Sequence, residues 1–220
     1  VLELPEILDE TSRPEIRILG RVPYETALAL QRETAQAVKT GQSAGVVFIL
    51  EHEPVITLGS NKPINKVLAA PPGVTLVQTD RGGGTTVHNP GQLVVYPVVA
   101  LRALGFGVKS FVAWVLDLGA QLLAGYGVTA ACRLDPLGLW VGERKIASLG
   151  IHISRGVATH GIAINLDNDL KLFNAIVPCG LSGVSMTSVA TETGQCIDMA
   201  EAMERMRVLV ATRFQQLFPE

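Results

Sequence analysis

The stretch GLWVGERKIASLGIHISRGVATHGIAINL, residues 138–166, decides the fold class. Its apolar runs, Leu139 to Val141, Lys145 to Ile153 and Val157 to Leu166, are separated by Gly142-Glu143 and Arg155-Gly156, pairs suited to tight turns. Runs this close together are joined by hairpins. They form an antiparallel meander and leave no room for the helical crossovers that parallel strands need. Strict alternation along the second run puts Lys145, Ala147, Leu149, Ile151 and Ile153 on one face, and Ile146, Ser148, Gly150 and His152 on the other. Lys145 therefore shares a face with aliphatic residues. At the edge of that face it snorkels to water. Enclosed, it loses the hydration that favours its ammonium form and becomes a usable base.

Upstream of the meander, Glu15 to Leu19 reads as a first strand, and Tyr24 to Val38 as a helix with Ala27, Leu28, Ala35 and Val38 at helical spacing. Val46 to Leu50 is a continuous apolar run, hence a central strand, and Glu51 to Gly59 turns and begins another. His52 reads as a solvated turn residue, since no second histidine stands at HxH or HxxxH spacing. Lys62 to Pro72 is polar and basic, a connector or a loop over the glycines that follow. Lys109 to Ala124 carries an apolar stripe that makes a buried helix, with Trp114 in the core. Downstream, Asp169 to Ile176 is a short helix stopped by Pro178, and Met199 to Leu217 a long amphipathic one. The fold class is α/β (α+β): a mixed β-sheet core, a smaller antiparallel sheet made by the meander, and flanking helices. Residues 1–14 form an arm, and residues 15–220 a single domain.

With 48% apolar and 17% charged residues the chain of 220 folds around a substantial core. A net charge of −2 gives no general pull toward nucleic acid. Cys132, Cys179 and Cys196 are too widely spaced for a disulfide framework or a CxxC metal knuckle, so reduced thiols, no metal and no cofactor are expected. Neither a signal peptide nor a membrane span is legible, which points to a soluble cytoplasmic protein with no membrane partner.

Two further features carry chemistry. Asp80-Arg81-Gly82-Gly83-Gly84-Thr85-Thr86-Val87-His88-Asn89-Pro90-Gly91-Gln92 joins the apolar runs Val74 to Val77 and Leu93 to Val99. Glycines there allow close backbone approach to a ligand, or simply a strand-to-strand loop, but Arg81, Thr85, Thr86, His88 and Gln92 supply more hydrogen-bonding groups than a turn requires. Cys179 sits between Pro178 and Gly180, on a constrained turn rather than in an apolar run of the kind that surrounds Cys132.

Together these stretches resemble the lipoyl(octanoyl) transferases. Arg81 to Gln92 matches that family's RGGxxTYHGPGQ block. Glu51-His52-Glu53-Pro54-Val55, Lys145-Ile146-Ala147-Ser148-Leu149-Gly150, Thr159 to Asn165, and Pro178-Cys179-Gly180 followed by Thr187-Ser188 match further blocks in the family's order. Val87 stands where the family has tyrosine, and Asn89 where it has glycine. The resemblance implies a fold similar to the catalytic domains of biotin and lipoate-protein ligases. It implies transfer of an octanoyl group from acyl carrier protein to a lysine of lipoyl domains in 2-oxoacid dehydrogenase complexes and the glycine cleavage H protein. Cys179 is then the nucleophile that forms an acyl-thioester, and Lys145 the residue that favours its thiolate. Arg81, Gly82, Gly83, Gly84, Thr85, Thr86, Val87, His88, Ser148, Leu149, Gly150, Gly161, Ile162 and Ala163 line the acyl site, and Lys62, Lys66, Arg144 and Arg155 are candidates for docking acidic partners. The nearest rivals are an ATP-dependent lipoate or biotin ligase and a non-catalytic acyl-binding protein. Pro178-Cys179-Gly180 argues against the first.

Overall fold

The computed structural model describes residues 13–177 and 184–218. Strand β1 (Glu15–Val22) leads into helix α1 (Tyr24–Lys39), then β2 (Gly45–His52) and β3 (Val55–Leu58). Next come β4 (Thr75–Gln78), β5 (Thr86–His88) and β6 (Gln92–Val99), helix α2 (Val108–Gly125), and the meander β7 (Ala131–Leu134), β8 (Leu137–Val141), β9 (Arg144–Ser154) and β10 (Val157–Asn165). The chain closes with β11 (Ser185–Met186), α3 (Val189–Thr193) and α4 (Met199–Leu217).

An eight-stranded sheet runs β1-β2-β6-β10-β9-β8-β7, with β11 paired to β9. The pairs β1–β2 and β11–β9 are parallel and the rest antiparallel, so the core sheet is mixed as expected. The meander is corrected in place: it completes this sheet instead of forming a separate one. The smaller sheet is β4-β3-β5, and it too is mixed, since β3 pairs parallel with β4 and antiparallel with β5. β5 lies inside what the sequence presents as loop, because three residues between glycines and prolines carry too short a pattern to register as a strand.

Each face of the main sheet has its own cover. Val47, Ile49, Leu93, Val95, Leu139, Ala147, Ile162 and Ile164 point toward α2 and α4, whose Phe111, Val115, Leu118, Leu122, Met206, Val210 and Phe214 complete the larger core. α2 is long and apolar enough by composition to cross a bilayer, yet the residues of its apolar stripe are buried in this core. On the other face Val46, Phe48, Leu50, Val94, Tyr96 and Ala163 pack against Ala27, Ala35 and Val38 of α1. α1 covers only part of that face, and the loop between β4 and β5 roofs part of the rest, with Gly82 and Arg81 against Gly150.

Under this roof β10 runs antiparallel beside β6, and its backbone comes close at Gly161. A β-carbon on Gly161 would stand 2.0 Å from the carbonyl oxygen of Val95 and 2.9 Å from the ring of Pro97. Both neighbours are held in a central strand and cannot yield. Gly161→Ala is expected to lower the unfolding free energy by about 1–3 kcal/mol, as forced overpacking does. Urea denaturation of the purified variant checks this; an unchanged midpoint would show that the strands slide apart at no cost.

Candidate active site

Lys145 is turned to the face of β9 that carries Ser148 and Gly150 by a break in strand alternation. Across β8 and β9, Leu139 pairs with Ala147 and Trp140 with Lys145, so Ile146 is the extra residue of a β-bulge. Leu139, Ile146 and Ala147 lie together in the larger core. Lys145 therefore points the other way, beside Trp140 on the α1 side. This corrects the expectation that it shares a face with Ala147, Leu149, Ile151 and Ile153, since counting by twos cannot see an inserted residue. The side chain is enclosed, with 1% of its surface exposed and Nζ 5.7 Å from the centroid of the Trp140 ring. Gly138 makes room for it: a β-carbon there would lie 2.7 Å from Lys145 Cε.

His160 reaches the same face by a different device. It pairs opposite Ile151, a core-facing residue, but its φ of 58° is left-handed and swings the side chain over. The ring stands edge-on to Tyr96, and Nε2 lies 2.8 Å from Asp80 Oδ1. Gln31 Oε1 accepts from the His160 backbone amide at 2.7 Å, which holds the strained residue in place.

The glycine loop is fastened by Arg81, which is 7% exposed. Its Nε and Nη2 donate to Thr57 Oγ1 at 3.1 and 2.8 Å, Nη2 also to the Thr57 carbonyl at 2.8 Å, and Nη1 to the Gly82 carbonyl at 3.1 Å. The Gly82 amide donates to the Ile151 carbonyl of β9 at 3.2 Å, joining roof to floor. The segment after Lys62 packs on the loop: the side chain of Ile64 lies against Gly84, and the Asn61 amide donates to the Gly83 carbonyl at 3.2 Å. It is more than a connector.

In β5, Thr86 and His88 line the cavity while Val87 turns into the apolar cluster of Ile56, Phe173 and Ile176. Asn89 needs no left-handed angle; Gly91, with φ 88°, takes it. The Asn89 side chain instead donates to the Asp169 carbonyl at 2.9 Å and accepts from Asn168 at 3.0 Å, tying the turn down. Beneath it runs a chain of buried amides. His88 Nδ1 meets Gln92 Oε1 at 2.7 Å, Gln92 Nε2 donates to Asn165 Oδ1 at 2.9 Å, and Asn165 Nδ2 donates to the Thr187 carbonyl at 3.0 Å. The Thr187 amide in turn donates to the carbonyl of Lys145 at 3.0 Å.

The resulting cavity is walled by Arg81, Gly82, Gly83, Gly84, Thr85, Thr86 and His88 from the loop, Ser148, Leu149 and Gly150 from β9, and Gly161, Ile162 and Ala163 from β10. Tyr96 and His160 complete the lining. Next to it, sharing Gly82 to Gly84, Leu149 and Gly150, opens an apolar cleft of about 410 Å³ bounded by Ile64, Val108, Val112, Leu137, Ile151 and Ile153. Cys179, with Pro178 and Gly180, lies outside the described residues. Arg144, a docking candidate, is engaged by Glu192 at 2.8 Å. Among the described residues no cluster of His, Cys, Asp and Glu side chains has the makings of a metal site.

The histidines here are kept neutral. His52 is no solvated turn residue: it is fully buried, held by the Val22 carbonyl at 3.0 Å and the Tyr96 hydroxyl at 2.9 Å, and burial pushes its pKa down to about 4. Burial pushes His88 well below its ordinary value, and nearby His52 and Arg81 push the same way. For His160 burial outweighs the Asp80 carboxylate, so the imidazole is lowered, while its hydrogen bond holds Asp80 well below the usual carboxylate range. The pair is a neutral imidazole donating to a carboxylate. Sequence patterns do not flag Tyr96 because it sits inside an apolar strand. Cys132, read as buried, is exposed near the start of β7.

The sequence pattern of lipoyl protein ligase A/B catalytic domains matches residues 23–209. An octanoyltransferase of Desulfovibrio desulfuricans is 44% identical over 183 residues, 80% of this chain and 76% of that protein. One of Chloroflexus aurantiacus is 41% identical over 199 residues, 87% of this chain and 89% of that protein. Among solved structures, lipoate-protein ligase A bound with ATP superposes with a TM-score of 0.69 at 16% identity, covering 93% of this chain and 85% of that one. Biotin protein ligase of Aquifex aeolicus with biotin and ATP superposes with 0.58 at 11% identity, covering 94% and 72%. These likenesses establish the fold.

Three buried neutral histidines make stability depend on pH in a definite direction. Unfolded, His52 takes up a proton near its ordinary value of 6.5; folded, only near about 4. Its contribution is complete above the unfolded value and is lost as pH falls through this window, by about 3 kcal/mol at most. His52→Gln is expected to flatten the fall in unfolding free energy between about pH 7 and about pH 4.5. Urea melts at the two values check this, and parallel slopes in parent and variant would refute it.

Proposed function

We propose that this chain, which belongs to the lipoyl protein ligase A/B catalytic domain family and is an acyltransferase, moves an octanoyl group from acyl carrier protein to a lysine of lipoyl domains. The acceptors are the lipoyl domains of 2-oxoacid dehydrogenase complexes and the H protein of glycine cleavage, and the setting is the cytoplasm. The observation that carries the reading is an enclosed Lys145 on the same face of β9 as Ser148 and Gly150, which line a cavity walled by small residues with a cleft beside it. Cys179, which the sequence sets between Pro178 and Gly180, supplies the nucleophile.

In the first half, the Cys179 thiolate attacks the carrier's thioester carbonyl. A new carbon–sulfur bond forms and the old one breaks, the carrier's sulfur leaves as a thiol with the proton of the Lys145 ammonium, and one thioester replaces another without ATP. Lys145 as ammonium supports the thiolate before attack. In the second half the acceptor amine attacks the enzyme thioester, a carbon–nitrogen bond forms, the Cys179 thiolate leaves, and Lys145 in its neutral form takes the proton the amine sheds. The cleft lined by Val108, Val112, Ile151 and Ile153 suits the chain, each buried methylene contributing about 0.8 kcal/mol. The ligase-like fold favours one rival, adenylation of a free acid, and isotope exchange between pyrophosphate and ATP driven by octanoate would establish it.

Intact mass spectrometry after mixing with octanoyl-carrier protein is expected to show one octanoyl adduct on the parent and none on Cys179→Ala. Lys145→Met is expected to slow adduct formation by about a hundredfold or more, the usual size of acid–base assistance. An adduct that persists in Cys179→Ala would sink the covalent mechanism.

A further inference from the structure

The amide chain that runs from His88 to the backbone of Lys145 has a direction, and the direction assigns a tautomer. Gln92 Nε2 donates to the Val87 carbonyl at 3.2 Å as well as to Asn165 Oδ1, and a carbonyl accepts only. Asn165 is oriented the same way, because its Nδ2 donates to the Thr187 carbonyl. Both amides are thus anchored by main-chain acceptors. Gln92 Oε1 is left to accept, so the hydrogen on neutral His88 is on Nδ1. Nε2 then carries a bare lone pair, and it has no hydrogen-bond partner among the described residues. His88 lines the cavity, and with its Nδ1 edge spent on Gln92 it is the Nε2 edge that is left to face a ligand. His160, in the same lining, likewise spends Nε2 on Asp80 and has no partner for buried Nδ1.

A cavity wall that presents a bare acceptor, His88 Nε2, selects a ligand that donates. In acyl transfer to an amine, which is the reading this inference rests on, the thioester carbonyl only accepts and the alkyl chain does neither. The attacking amine carries N–H groups. We infer that His88 Nε2 accepts a hydrogen bond from the amine of the second substrate and aims it, and that Gln92 and Asn165 are positioning residues that keep His88 in the tautomer this requires. Burial and the neighbouring Arg81 make His88 a weak base. It orients the amine and leaves the proton to another group.

Nitrogen-15 spectroscopy of the histidine-labelled full chain tests this without any acyl transfer. The parent is expected to show His88 with hydrogen on Nδ1 and none on Nε2. Saturating Nα-acetyl-lysine amide is expected to move the Nε2 resonance, and Gln92→Leu to admit the other tautomer. In single-turnover kinetics, the rate of amine acylation divided by the rate of enzyme acylation is expected to fall about tenfold in His88→Phe, the worth of one hydrogen bond in a desolvated site, and to fall in Gln92→Leu too. A parent with hydrogen on Nε2, a resonance unmoved by the amine, or an unchanged ratio would overturn the inference. Failure to form any acyl-enzyme would overturn the transfer reading and leave the tautomer result standing.

Discussion

Lys145 and Ser148 are three residues apart on one strand and occupy the same face of the sheet, which regular pleating forbids. The bulge at Ile146 resolves the conflict. Without the inserted residue, either Lys145 would enter the core of Leu139 and Ala147, placing a charge among aliphatic side chains, or the strand would slip and turn Ser148 and Gly150 away from the cavity. A bulge forgoes one ladder pairing and sharpens the twist of its strand, a small cost beside burying an uncompensated ammonium. The left-handed backbone of His160 solves the same problem on the neighbouring strand. Both devices deliver polar side chains to one face of the sheet while leaving the apolar face intact.

Once on that face the polar groups must be satisfied in a space that excludes water, and they divide by kind. Arg81 cannot lose its proton, so it is surrounded by acceptors: the Thr57 hydroxyl and carbonyl and the Gly82 carbonyl. The histidines escape by staying neutral, and the permanent charge of Arg81 helps suppress protonation of His88 and His160. A neutral imidazole donates at one nitrogen and accepts at the other, so each ring becomes a directed element once its neighbours choose the tautomer. Gln92, which the sequence offers only as one more hydrogen-bonding group of the loop, makes that choice for His88.

The large elements were legible because their patterns are long. α4 begins and ends at Met199 and Leu217, where the amphipathic stripe places it, and α2 differs from its stripe by one residue at each end. The local features that aim side chains were not. A bulge leaves no trace in a sequence read by twos, and a left-handed histidine looks like any other. Cys132 shows the opposite failure: an apolar neighbourhood suggested burial, but β7 lies at the end of the sheet's strand order, where a strand has only one neighbour. Motif resemblance located the glycine loop and the lysine strand, yet could not tell that Val87 faces away from the cavity.

The glycine loop itself acquires a different meaning from its contacts. Read as sequence, it suggests backbone brought close to a ligand, but the Gly82 amide is spent on Ile151 and the Gly83 carbonyl on Asn61. What the missing side chains provide is proximity. A β-carbon on Gly150 would stand 3.0 Å from the Gly82 carbonyl, and one on Gly82 would stand 3.0 Å from the Ile151 carbonyl, so loop and strand meet backbone to backbone. Gly82, Gly83 and Gly84 border the cavity of His88 and His160 and the cleft of Val108 and Ile153 alike, with Leu149 and Gly150 below. The partition between the two spaces is thus only a backbone thick. A substrate with a reactive head and an alkyl tail can place the head beside the histidines and the tail along Val108, Val112 and Ile153, and that arrangement is what acyl transfer asks of a site.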